Sequence, residues 1–283
     1  MTRYLIAGAN GMLGNDLQRA LGGREVLALG RAELDVTDAP AVDAAVADVD
    51  VVINASAYTA VDDAESNEDA AYAINASGAE NLARAAAAAG ARMVQVSTDY
   101  VFHGDATSPY PEDAPLDPLG AYGRTKAAGE RLVRAAHPGA HIVRTAWLYG
   151  QHGGNFAHTM LRLAAQRDTV SVVTDQVGQP TWTGDLAAAV VALLDSDAPA
   201  GVYHGTNAGS ASWFDFARAV FEVSGLDPER VLPTDSSAFV RPAPRPAYSV
   251  LGHDAWARVG LAAPRDWRAG LAAAAEDGAL GVA

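Results

Sequence analysis

No cysteine occurs anywhere in the chain, which excludes disulfides, thiolate metal sites and cysteine nucleophiles. Basic side chains are also scarce: 20 lysines and arginines stand against 34 aspartates and glutamates, a formal charge of −14. A surface of that sign repels nucleic acid and anionic membranes on average, so neither is expected as a partner. An anionic small molecule would need a local basic element. Long apolar runs are missing too, since the alanine-rich stretch 83–89 is short and follows charged residues. The seven histidines lack ligand-like spacing; His137 and His141 are four apart, but Pro138 and Gly139 break any helix between them. No metal site is expected. The first apolar run, 4–7, begins so close to Met1 that it leaves no room for a secretory leader, and the expectation is a cytoplasmic protein.

What the sequence does have is alternation. Short β-branched or leucine-rich runs at 4–7, 25–29, 51–54, 93–97 and 141–144 read as strands, and longer alanine-rich patterns at 12–21, 39–47, 68–89 and 121–135 read as helices. Such a rhythm implies βαβ units and a doubly wound parallel sheet, the α/β Rossmann class, in which ligands bind beyond the carboxyl ends of the strands. After about Gly150 the rhythm changes: 155–165 and 186–194 look helical, and the proline- and arginine-rich 239–246 looks irregular. We expect a dinucleotide-binding domain over 1–150, with late sheet elements from about 170–205. Residues 151–283 then form mainly a smaller substrate-binding lobe, interleaved with it.

Gly8-Ala9-Asn10-Gly11-Met12-Leu13-Gly14 follows the first strand directly and opens the first helix. Its GxxGxxG spacing suits a dinucleotide: Gly8 for the tight turn, Gly11 for close approach to a pyrophosphate, Gly14 for packing of helix on strand. The free N–H groups at the helix start would meet the phosphates, with Asn10, Met12 and Leu13 beside them. An ordinary glycine-rich turn has the same letters, but the flanking strand and helix favour the cofactor. The second strand ends at Leu29-Gly30-Arg31, without the carboxylate that would grip a ribose 2′-hydroxyl. Arg31 could pair with a 2′-phosphate, which favours NADPH and leaves NADH open; a solvated arginine would look the same. Asp35 and Val36 stand where they could flank the adenine.

Tyr122 and Lys126 are four apart in a helical pattern and so share a face. An ammonium beside a phenol favours phenolate and lowers the tyrosine pKa towards the working pH, as a general acid needs. YxxxK alone is a weak signal and often a solvated pair. Here it comes one crossover after Ser97-Thr98-Asp99-Tyr100 at the end of a strand, where Thr98 could donate to a substrate carbonyl.

With these residues in view, the chain resembles the extended short-chain dehydrogenase/reductase family. The resemblance runs over most of the length: GANGMLG at 8–14, NASAYTAVDDAE at 54–65, IN at 74–75, STDYVF at 97–102, YGRTKAAGE at 122–130, RTAWLYG at 144–150, NF at 155–156, DQVGQPT at 175–181 and RPAYSVL at 245–251. Ser56, where alanine is usual, and Gly252, where an acidic residue is common, depart from the pattern. The resemblance implies reduction of the C4 ketone of a nucleotide-linked 6-deoxy-4-ketohexose, with Tyr122 protonating the alkoxide, Lys126 holding the nicotinamide ribose and Thr98 polarising the carbonyl. It also implies cofactor contacts at Ala55, Ser56, Ala57, Tyr58, Asn75 and Ser97. Sugar contacts would come from Val61, Thr98, Asp99, Tyr100, Trp147 and Asn155, and Arg245 would meet the diphosphate, with Arg241 a weaker candidate. Without the resemblance, Trp147 reads equally as a core aromatic and the two arginines as a solvated loop. A homodimer and Mg²⁺ at the subunit contact fit the resemblance, although no ligand cluster is visible. Two other functions stay open: reduction of a different nucleotide-linked deoxysugar, or a non-catalytic NADP-binding regulatory subunit such as the methionine adenosyltransferase β subunit. The intact Thr98, Tyr122 and Lys126 favour catalysis.

Overall fold

The computed structural model describes residues 1–281. Six parallel strands form the central sheet: β1 Arg3–Ala7, β2 Glu25–Leu29, β3 Val51–Asn54, β4 Arg92–Thr98, β5 His141–Thr145 and β6 Gly201–His204. Their order across the sheet is β6-β5-β4-β3-β1-β2. The order reverses beside β1, which opens a crevice at the carboxyl ends of β1, β3 and β4.

The period-2 alternation of the strands assigns each side chain to one of two cores. Tyr4 and Ile6 of β1 face Leu13 and Leu17 of α1 (Met12–Ala20) and Leu186, Val190 and Leu193 of a late helix, Thr183–Leu194. Leu5 and Ala7 face the opposite way, onto Val42 and Val46 of α2 (Ala39–Val46) and Leu82, Ala83 and Ala86 of α3 (Ala79–Ala89). The expected long helix over 68–89 is broken in one respect. Between Glu68–Tyr72 and α3 the chain makes a π turn, Ala73–Gly78, and Asn75 lies in it. The next helix, α4 (Ala121–Ala136), packs against this turn at Gly129.

Of the late elements, Gly201–His204 extends the sheet as β6, and Thr183–Leu194 covers the sheet beside α1. Val170–Val173 instead pairs with Val231–Thr234 in a separate two-stranded ribbon. That ribbon belongs to a second core built from Phe156–Ala164, Trp213–Val223 and Trp267–Glu276, rich in aromatics such as Tyr149, Phe216 and Trp267. The stretch 239–246 has no regular structure. Among the described residues, no helix is long and apolar enough to cross a membrane.

Candidate active site

Two cavities adjoin at the carboxyl ends of the strands. The outer one, about 570 Å³, is lined by Gly8, Asn10, Gly11, Arg31, Asp35 and Val36 on one side and by Ala55, Ser56, Ala57 and Tyr58 on the other. The inner one, about 540 Å³, shares Gly11, Ala55, Ser56 and Ala57 and continues past Met12, Leu13 and Val61 to Ser97, Thr98, Asp99, Tyr100, Tyr122, Lys126 and Trp147. Nearly all the residues expected to bind a cofactor or a sugar therefore line one continuous groove.

Two glycines are required by geometry at its outer end. Gly8 has φ +83°, and a side chain there would press on the backbone of Ser56 at 2.7 Å. A Cβ at Gly14 would lie 2.3 Å from the Gly8 carbonyl oxygen. Gly11 precedes α1 as its cap residue, with no side chain capping the helix, so the first N–H groups of α1 are left for an anionic ligand. Asp35 is turned on Thr37, accepting from its N–H at 2.9 Å and its hydroxyl at 2.7 Å. Those two bonds, helped by the nearby Arg31 charge, hold its carboxyl below the ordinary range. An outer cleft with free N–H groups and an exposed arginine fits a phosphorylated dinucleotide.

In the inner cavity Lys126 is buried, and its ammonium donates to the Val96 carbonyl at 2.8 Å. Burial pulls its pKa down to about 8 against an opposing pull from Glu130. Burial also pushes the Tyr122 phenol up to about 12, while the Thr98 hydroxyl opposes the rise and the Asp99 charge adds to it. This differs from the phenol lowered by lysine that the spacing alone suggests: the ammonium is engaged by Val96, and desolvation decides. The Thr98 hydroxyl accepts from the Tyr100 N–H at 3.2 Å and donates to Asp99 at 2.9 Å. Asp99 is itself buried, and desolvation raises it to about 6, with Ser249 and Thr98 opposing.

Three expected contacts are engaged elsewhere. Asn155 caps Phe156–Ala164, accepting from the His158 N–H at 3.0 Å and donating to the Gly150 carbonyl at 2.9 Å. Asn75 accepts from the Tyr58 N–H and donates to the Tyr58 carbonyl and the Thr125 hydroxyl, so it braces the groove wall from behind. Ser97 lines the cavity, but its hydroxyl donates to Glu130 at 2.6 Å.

Glu130 and Arg144, unassigned from sequence, form a buried bidentate pair at 2.8 and 2.9 Å directly behind Ser97. Asp62 lies in the motif at 54–65 and has no role assigned from sequence. It holds Arg245 at 2.9 Å and stands 3.9 Å from Arg241. These three residues line a further cavity of about 690 Å³, which also contains Trp213 and meets the inner one at Tyr100. Paired charges of this kind join residues 14 and more than 170 positions apart, and no local spacing announces them.

Residues 2–279 match the family model described as RmlD substrate binding domain. A probable dTDP-4,6-dihydroxy-2-methyloxan-3-one 4-ketoreductase of Streptomyces antibioticus is 52% identical over 97% of this chain and 95% of its own length. The dTDP-4-dehydrorhamnose reductase of Streptomyces griseus is 51% identical over 95% of this chain and 91% of its own. Among solved structures, a dTDP-4-dehydrorhamnose reductase from Bacillus anthracis in complex with NADP superposes with a TM-score of 0.94 at 40% identity, covering 98% of this chain and 100% of that one.

Proposed function

The chain belongs to the RmlD substrate binding domain family, and from that membership we propose that it is an NADPH-dependent reductase of the C4 ketone of dTDP-4-dehydrorhamnose, giving dTDP-L-rhamnose. The observation that carries this reading is the meeting of Thr98, Tyr122 and Lys126 in one cavity that opens directly onto the glycine-turn cleft.

The nicotinamide, when bound, supplies the hydride. The chain's own residues supply the proton and the orientation. Gly8, Gly11 and the start of α1 hold the pyrophosphate, and Arg31 meets the 2′-phosphate. Tyr122 is protonated at neutral pH, since its phenol sits near 12, and it donates to the C4 oxygen as negative charge develops there. Thr98 donates to the same oxygen from the other side once its hydroxyl turns from Asp99, which it meets at 2.9 Å without substrate. Lys126, buried in the same cavity, holds the nicotinamide ribose. Val61, Asp99, Tyr100 and Trp147 enclose the sugar, and Arg245 with Arg241 meets the diphosphate. Residues 1–150 with β6 hold the cofactor in this reading, and the remaining chain covers the sugar.

A second substrate is favoured by one observation: the Streptomyces antibioticus relative, with a different keto sugar in its name, is as similar as the dehydrorhamnose reductase of Streptomyces griseus. The deciding assay follows loss of nicotinamide absorbance with dTDP-4-dehydrorhamnose, using NADPH and NADH separately, beside a Tyr122→Phe control. Turnover to dTDP-L-rhamnose that collapses in the control supports the reading. NADPH binding without turnover of this sugar defeats it and moves the search to other 4-keto sugars. A cytoplasmic homodimer is proposed with it, to be tested by fractionation and solution mass; chelation during the assay tests Mg²⁺.

A further inference from the structure

Trp147 is the only non-glycine residue with positive φ among the described residues, at +45°. A bulky side chain in the left-handed region costs on the order of 1 kcal/mol or more, and such a conformation persists only where the surroundings over-determine it. The surroundings are visible. The Trp213 indole stacks on that of Trp147 with ring centroids 3.5 Å apart and planes 7° from parallel. Gly178 presses on the same ring, where an added Cβ would fall 2.5 Å from Cε2. The backbone carbonyl of Trp147 accepts from the Thr181 N–H at 3.2 Å.

Trp213 is itself fixed. It is the first residue of its helix, behind a reciprocal cap between Ser212 and Asp215, and Phe156 leans on it at 4.5 Å. The stacked pair divides two cavities: Trp147 lines the catalytic one and Trp213 the one holding Arg241 and Arg245. The Trp147 edge that carries Nε1 packs against Gly178, 2.8 Å from where a Cβ there would stand, and the residue lines the same cavity as Thr98 and Tyr122.

We propose that Trp213 is a positioning residue for Trp147 and that, with Gly178 beneath the ring, it determines which ring substituents of a 4-keto sugar the catalytic cavity accepts. The inference rests on the reductase reading for its substrate, but the stack itself is independent of that reading. Thr98, Tyr122 and Lys126 address the reacting carbon and its oxygen. Discrimination between sugars differing elsewhere on the ring must come from a rigid wall, and this pair supplies one whose orientation the backbone alone would not choose.

The test has two arms. Circular dichroism of wild type should show the paired bands of two coupled indoles, and Gly178→Ala, which keeps both tryptophans, should weaken them; wild type without the bands overturns the stack. In the second arm, kcat and KM are measured on dTDP-4-dehydrorhamnose and on dTDP-4-keto-6-deoxy-D-glucose. Trp213→Ala should lower kcat/KM for the preferred sugar by about tenfold to a hundredfold, mainly through KM, and narrow the preference between the two. NADPH affinity should stay as in wild type, and Trp213→Phe, which keeps an aromatic face, should recover most of the loss. An unchanged preference in Trp213→Ala overturns the proposal, as does a loss of NADPH binding that Trp213→Phe fails to recover. Wild type inert on both sugars would count against the reductase reading, while the first arm would still decide whether the stack exists.

Discussion

The ammonium of Lys126 lies 2.8 Å from the carbonyl oxygen of Val96, inside a cavity wall where almost no water reaches it. A charge so placed is costly to the fold, and burial brings its pKa from 10.5 to about 8. The sign follows from linkage: stability tied to this group is present above pH 10.5 and is lost as pH falls through 8. Lys126→Met should therefore abolish turnover yet stabilise the fold at pH 7 by up to roughly 3 kcal/mol. The Val96 carbonyl keeps the Gln95 amide at 2.8 Å in its absence. Urea unfolding at pH 7 and pH 10 checks this; the gain should shrink at the higher pH, and a destabilised variant at pH 7 would refute it.

Asp99 titrates in the opposite sense. Its folded value near 6 lies above the ordinary 3.8, so the associated stability is whole below the ordinary value and is lost as pH rises through 6. Because the ionised carboxylate accepts the single Thr98 hydroxyl proton, which the C4 oxygen needs, kcat/KM should rise on acidification with an inflection near pH 6. Asp99→Asn should remove that limb. A profile with the same limb in the variant would assign it to another group.

The Glu130–Arg144 pair is 3% exposed on each side. Glu130→Gln strands a guanidinium in the interior, and a loss of about 3 to 5 kcal/mol is expected from chemical denaturation. Replacing both partners with apolar residues should cost much less than the two single changes together; additive costs would argue against direct pairing.

Arg31 lines the outer cleft and is exposed to solvent. If it meets a 2′-phosphate, Arg31→Ala should raise KM for NADPH by about tenfold, the worth of one charge-assisted bond, and leave KM for NADH unchanged. Equal effects on both cofactors would remove it from phosphate recognition.

The sheet was legible in the sequence because most strands are short apolar runs closed by a glycine or a polar turn, and alanine-rich helical stretches alternate with them. The groove was legible for a related reason: Gly8 and Thr98 sit at strand ends, and Tyr122 and Lys126 share one face of a helix. What escaped depends on distant partners. The run 170–173 looks like any sheet strand, and only its pairing with 231–234 sets it apart from the main sheet. Asn155 and Ser97 fall within motif segments, but the first is drawn into a helix cap and the second onto Glu130. Trp213 carries no signal at all until Trp147 is seen against it.

The π turn at Ala73–Gly78 holds one residue more per turn than an α-helix would. Deleting a single residue there would close the widened turn to an ordinary α turn and let the chain run on as uninterrupted helix, with the flanking segments keeping their faces. The face that α3 lays on the sheet would survive, but Asn75 would leave the position from which its amide ties Tyr58 to Thr125. Regularity of the helix and integrity of the groove wall are thus in conflict at this one point, and the fold keeps the irregular form.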